Sequence, residues 1–209
     1  MELGLVLSFL GASIILSLMP GPDNIFVLTE SLTKGQRNGI AISMGLGCGV
    51  LIHTLAAATG LSLIIQKSAI AFSIIKYLGA VYLLYLAYQA YNEKKPVLDF
   101  KSDSNTPKTK FFFLIRKGFL MNVLNPKVSL FFIAFLPQFV SPDGFHVTIQ
   151  MILLGLIFMV QAIVVFSLIA ILSGKLTVYV NSPKFWDATK WGKIIVLSLL
   201  GVSLALSKK

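Results

Sequence analysis

Charge is what this chain has least of. Only 12% of its 209 residues are Asp, Glu, Lys or Arg, about half of the roughly 25% usual in a soluble domain. With 56% hydrophobic residues and a mean hydropathy of +0.84, it has too little polar surface for a water-exposed globule and reads as an integral membrane protein. One cysteine, Cys48, within an apolar stretch, excludes a disulfide framework, a thiolate metal cluster and dithiol redox chemistry. Of the two histidines, His53 lies in an apolar segment and His146 in a loop, so a shared zinc site is not expected and neither is a cofactor. A Walker A lysine loop, a dinucleotide fingerprint and a nucleophile elbow are all missing. Neither ATP hydrolysis nor another enzymatic reaction is therefore expected. The net charge of +10 does not point to nucleic acid, because the basic residues cluster in short loops between apolar runs without interleaved aromatics.

What the chain does have is long apolar runs. A spanning helix needs roughly 20 such residues, which predicts spans over 3–28, 40–65, 69–91, 111–140, 147–174 and 191–206. The N-terminal run lacks a basic leader and is too long for a cleavable signal, so it is read as the first span. All connections are short except 92–110, rich in Lys, Ser, Asp and Pro, which reads as a linker between a three-helix unit over 1–91 and another over 111–209. Thirteen basic residues fall on the linker's side of the membrane and four on the other, which predicts a cytoplasmic linker and external termini. Three spans per half force two similar halves to enter the membrane in opposite directions. The expected fold is an all-α membrane protein of two inverted three-helix repeats, its first and fourth helices broken.

The breaks are the informative feature. Pro20-Gly21-Pro22-Asp23-Asn24 interrupts the first span, and Asn122 with Asn125-Pro126-Lys127 interrupts the fourth. Proline removes a backbone donor, and in lipid the freed groups need protein or a wet cavity to satisfy them. A charge near the bilayer centre costs roughly 2.5–3.5 kcal/mol on the mildest scale, so Asp23 and Lys127 need an explanation. Each break offers carbonyls of partial negative charge where one half-helix ends and amides of partial positive charge where the next begins, which suits the ammonium and carboxylate of a small zwitterion. Pro22 and Pro126 suit the first turn of the restarting helices.

Asp23 has two readings, a first-turn cap or half of a pair with Lys127 that opens and closes with protonation. Lys127 opposes the dipole of the helix it begins. It therefore needs a partner, whether in a coupling pair, in a permanent pair fixing the two halves, or at an interface reached by snorkelling. His53, on a face with Ala41, Gly45, Gly49 and Ala57, is either a proton relay or a neutral ring bonded to a facing helix. The small residues beside it suit close packing within the chain or in a homodimer. Gln161 is a further candidate for lining a path, Tyr88 and Tyr91 for an interfacial belt, and Phe131, Phe132 and Phe135 for lipid-facing or core bulk.

With these residues on the page, the chain resembles the lysine exporter superfamily, including its homoserine/threonine efflux branch. The Met19-to-Asn24 break, the Lys34-Gly35-Gln36-Arg37-Asn38-Gly39 turn, the Gly45-to-His53 helix, the Asn122-to-Lys127 break and Leu136-Pro137-Gln138-Phe139 carry the resemblance across about two thirds of the sequence. It implies a bacterial inner-membrane exporter of amino acids or related metabolites driven by the proton gradient, with the two breaks framing the substrate site. Export rather than uptake rests on the resemblance alone. The scarcity of buried carboxylates favours neutral amino acids over lysine or arginine. A passive small-solute channel and an intramembrane enzyme using Asp23 and His53 are the competing functions.

Overall fold

A computed structural model describes residues 1–19, 21–62, 64, 68–93, 110–141, 143–180 and 182–206. Pro20 and linker residues 94–109 lie outside that set. The described chain is helical, with no strand among the described residues: α1 (Leu3–Leu18), α2 (Pro22–Lys34), α3 (Gln36–Ala56), α4 (Ala69–Asn92), α5 (Phe111–Val123), α6 (Pro126–Leu130), α7 (Val147–Ile171), α8 (Ser173–Val180) and α9 (Pro183–Leu206). Among the described residues, four helical stretches are long and apolar enough to cross a membrane alone. The number rises to six if each bent pair, α1 with α2 and α5 with the 126–139 segment, is one span. The bends are 59° and 52°. The last helix starts at Pro183 rather than 191, because its first turns, with Lys184, Asp187 and Lys190, are helical without being apolar.

Local chemistry explains the restarts. Gly21 is the extended N-cap of α2, Pro22 fills its first turn and Asp23 adds a carboxylate there, all favourable at a helix start. The turn from α2 to α3 is one residue, Gly35, at φ +94°, a conformation glycine adopts without strain. α3 continues into a π-helical turn over Ala57–Leu61, and α6 into one over Phe131–Phe135 followed by a 3-10 turn to Phe139.

α3 is the centre of the molecule, packed against α5 and α7. In its most apolar stretch 61% of the residues are buried, against 17% in α9. The small-residue face is used inside the chain. A Cβ on Gly45 would collide with the carbonyl of Ile115, and one on Gly118 with that of Ile42, so α3 and α5 meet backbone to backbone, as small residues allow. Gly49, His53 and Ala57 are also buried, so the face offered for either role serves internal packing. Gly45→Val is expected to destabilise the fold by about 1–3 kcal/mol, the usual range for overpacking, and to lower the detergent-purified protein's melting temperature.

Phe131, Phe132 and Phe135 are buried, in a ring cluster with Phe9, Phe139 and Phe158 whose centroids lie 5.2–6.4 Å apart. They are core rather than lipid-facing. α4 and α9 pack on each other at the flank. Tyr85, Tyr88 and Tyr91 are exposed there, while Tyr82 is half-buried against Tyr85.

Candidate functional site

Where α1 stops, its last carbonyls lose their helical partners. They are satisfied by side chains from elsewhere. The Lys127 ammonium donates to the carbonyls of Leu16 at 3.1 Å and Met19 at 3.4 Å, Asn24 donates to Ser17 O at 2.8 Å, and Met19 N–H reaches Ile15 O. Lys127 thus places its cation at the negative end of α1's dipole, across the gap from the helix it begins. Gln161 of α7 donates to the Ser17 hydroxyl at 3.0 Å and to Ser13 O at 3.4 Å, joining α7 to the same half-helix.

The second break mirrors this. The Asn122 carbonyl accepts from Asn125 N–H and from His53 Nε2 at 3.1 Å. A carbonyl only accepts, so Nε2 carries the ring proton. His53 therefore sits as a donor bonded to a facing helix, with Phe132 beside the ring at 5.9 Å between centroids.

Asn125 links the two breaks. Its Oδ1 accepts from Lys127 N–H at 3.0 Å, capping α6. This leaves its Nδ2 to donate to Asp23 Oδ2 at 2.6 Å. Asp23 is buried, and the ion pairs among the described residues, Glu30 with Lys34 and Glu93 with Lys193, do not include it. Asp23 and Lys127 therefore do not meet as an ion pair. The carboxylate takes the Asn125 amide as its hydrogen-bond partner, and the ammonium takes the α1 carbonyls. The sequence reading had no reason to expect this, since a carboxylate and an ammonium in apolar surroundings are each other's strongest available partner.

A cavity of about 500 Å³ opens between the breaks and the flanking helices, within the range of small-molecule sites. Its lining includes Met19, Gly21, Pro22, Asn125, Pro126 and Lys127 from the breaks and Gln89, Asn92, Glu93 and Lys193 from the flanking helices. Gln89, Asn92 and Glu93 are exposed, so one mouth lies beside the residue that precedes the linker; Pro22 and Pro126 are exposed as well. Of the expected site residues, Gly21, Pro22, Asn125, Pro126 and Lys127 line this space. Asp23, Asn24, Asn122, His53 and Gln161 are not part of its lining. The buried oxygens Asn24 Oδ1, Asn122 Oδ1 and Gln161 Oε1 have no donor among the described residues and keep unspent acceptor capacity.

Glu93 and Lys193 were not foreseen. The signal was faint: Glu93 is one of eight acidic residues and ends the third span, whereas Lys193 reads as one more basic residue flanking the sixth.

The family described as LysE type translocator matches residues 14–208. A protein of Bacillus subtilis (strain 168), named uncharacterized membrane protein YrhP, is 30% identical over 208 residues, covering 97% of this chain and 99% of that one. An uncharacterized membrane protein of Vibrio cholerae serotype O1 is 29% identical over 99% of this chain and 98% of its own length. The homoserine/homoserine lactone efflux protein of Salmonella typhimurium is 29% identical, with 96% of each chain covered. No solved structure matches.

Proposed function

We propose, on the premise that this chain belongs to the LysE type translocator family, that it exports amino acids or closely related small metabolites from the cytoplasm across the bacterial inner membrane. Membership makes it a transporter rather than an enzyme. The observation that carries the substrate class is the cavity between the two broken helix pairs, lined by both lysine ammoniums and a carboxylate. Such a cavity suits a zwitterion. The efflux activity in the name of the Salmonella relative agrees with that class and supplies the direction.

In the proposed architecture the units over 1–91 and 111–209 are inverted repeats about the two breaks, an arrangement favoured by their similar bends and by the exchange of caps between halves. With linker 92–110 on the cytoplasmic side, as the basic residues suggest, the cavity mouth faces the cytoplasm and loads substrate from there. Lys127 meets the substrate carboxylate through the donor it has left after bonding Leu16 and Met19. Asp23 carries the exchanged proton, and its protonation alters the Asn125 contact that caps α6. Proton uptake and substrate release are thereby linked in an antiport cycle as the halves rock.

Efflux of preloaded radiolabelled amino acids from oriented vesicles, with and without an imposed proton gradient, tests the proposal. Gradient-dependent efflux is the expected result, and flux indifferent to the gradient would mean a passive channel. His53 is assigned the structural role of holding Asn122. His53→Gln retains a donor for that carbonyl and is expected to keep gradient-driven efflux, with a stability loss of about 1 kcal/mol. Loss of coupling in a folded His53→Gln protein would instead make the imidazole a proton carrier.

A further inference from the structure

Glu93 and Lys193 are an ion pair that also lines the cavity, and the two residues come from α4 and α9, the helices that flank the mouth. Their surroundings hold those helices together: the rings of Tyr91 and Trp191 meet edge-on at 6.3 Å between centroids, and the Lys190 ammonium lies 5.3 Å from the Tyr91 ring. Glu93 is about half exposed while the Lys193 side chain is 14% exposed. The cavity's described lining therefore holds two ammonium groups, Lys127 and Lys193, and one carboxylate. That carboxylate is already engaged. Because Glu93 is half exposed, a competing cation can reach its carboxylate and replace the lysine.

Resting on the transport reading above, we propose that Glu93 is the ammonium-recognising residue of the cavity and that Lys193 occupies it until substrate arrives. An incoming zwitterion displaces Lys193 from Glu93 with its ammonium and takes Lys127 with its carboxylate, so the mouth latch opens only for a molecule with both charges. A substrate with an ammonium but no carboxylate, such as a lactone or an amine, gains Glu93 but leaves both lysines unmatched. A carboxylate without an ammonium cannot release the latch. The chain thus selects free α-amino acids over their lactones.

The test is calorimetric binding to the full-length detergent-purified protein with three probes: L-homoserine, its lactone, and γ-hydroxybutyrate, which keeps the hydroxyl and carboxylate but has no amino group. The native protein is expected to bind homoserine more tightly than either analogue. Glu93→Gln should weaken homoserine about fivefold, the upper end for a half-exposed charge contact, and leave γ-hydroxybutyrate no weaker. Lys193→Gln, which removes the competitor, should tighten homoserine. Opposite signs for the two variants are the signature of exchange. If both variants weaken homoserine alike, the pair is a structural clasp and the proposal falls. It also falls if Glu93→Gln weakens γ-hydroxybutyrate as much as homoserine, or if the native protein binds the lactone as tightly as the free acid. Binding needs neither flux nor gradient, so a protein that binds as expected without moving substrate refutes only the transport reading. One that exports while both variants behave alike refutes only this inference.

Discussion

Lys127→Met is expected to reduce substrate efflux by about tenfold to a hundredfold. A hydrogen bond to a charged group contributes about 1.5–3 kcal/mol, and this ammonium lines the cavity. The same substitution leaves the Leu16 and Met19 carbonyls without their donor, at a cost of about 1–3 kcal/mol for each buried group. A fall in efflux alone would therefore not separate function from folding. Lys127→Arg separates them: a guanidinium still caps the α1 carbonyls, but its planar fork delivers a bulkier, differently placed charge. It should preserve thermal stability and membrane insertion better than Met while still impairing efflux. The measurement is efflux per correctly inserted molecule alongside a melting curve. Near-native efflux in a stable Lys127→Met protein would remove the lysine from the substrate site.

The second large effect is a dissociation between two activities. Asp23→Asn keeps the side chain's shape and an oxygen that can accept from Asn125, so the break should hold its geometry, but an amide cannot carry a proton at working pH. Gradient-driven efflux is expected to fall at least about tenfold, a difference of about 1.4 kcal/mol. Exchange of labelled for unlabelled substrate at equilibrium, which needs substrate sites but no net proton movement, should stay close to native. Loss of both activities in a folded protein would make Asp23 a structural anchor for Asn125. Retention of gradient-driven efflux would move the proton to another group. Asn125→Ala adds an internal comparison: it frees the Asp23 carboxylate and uncaps α6 at once, so it should damage stability more than Asp23→Asn does.

The two breaks were legible because proline and buried charge are unusual in apolar segments and each has few physical excuses there. Pro22 and Asp23 could be placed at a helix start from local rules, and α2 begins there. The carbonyl end of α1 was read as a place for the ammonium of a substrate, whereas an ammonium of the protein itself occupies it. What could not be read was whose. Lys127 comes from 111 residues away to reach Leu16, and Asn125 from 102 residues away to reach Asp23. Nothing in either local segment favours that lysine-to-carbonyl match over the ion pair. The role of the Gly45 face was open for a similar reason: small residues permit close approach, but which helix approaches depends on how the spans are arranged.

By itself the sequence determined that this chain is a membrane protein, where most of its apolar helices run, and where two of them are interrupted. Those properties follow from a constraint acting on each segment separately, since backbone groups in lipid must be satisfied within the helix and any exception is marked by proline, glycine or a charge. The tertiary structure decided which residues satisfy the exceptions. It gave Asp23 the Asn125 amide as partner, buried Phe131, Phe132 and Phe135 in the core, and brought Glu93 to Lys193 in the lining of a shared cavity. Those outcomes depend on how helices distant in sequence pack against one another. Many partners are chemically acceptable for a buried polar group, and packing brings only a few within hydrogen-bond reach.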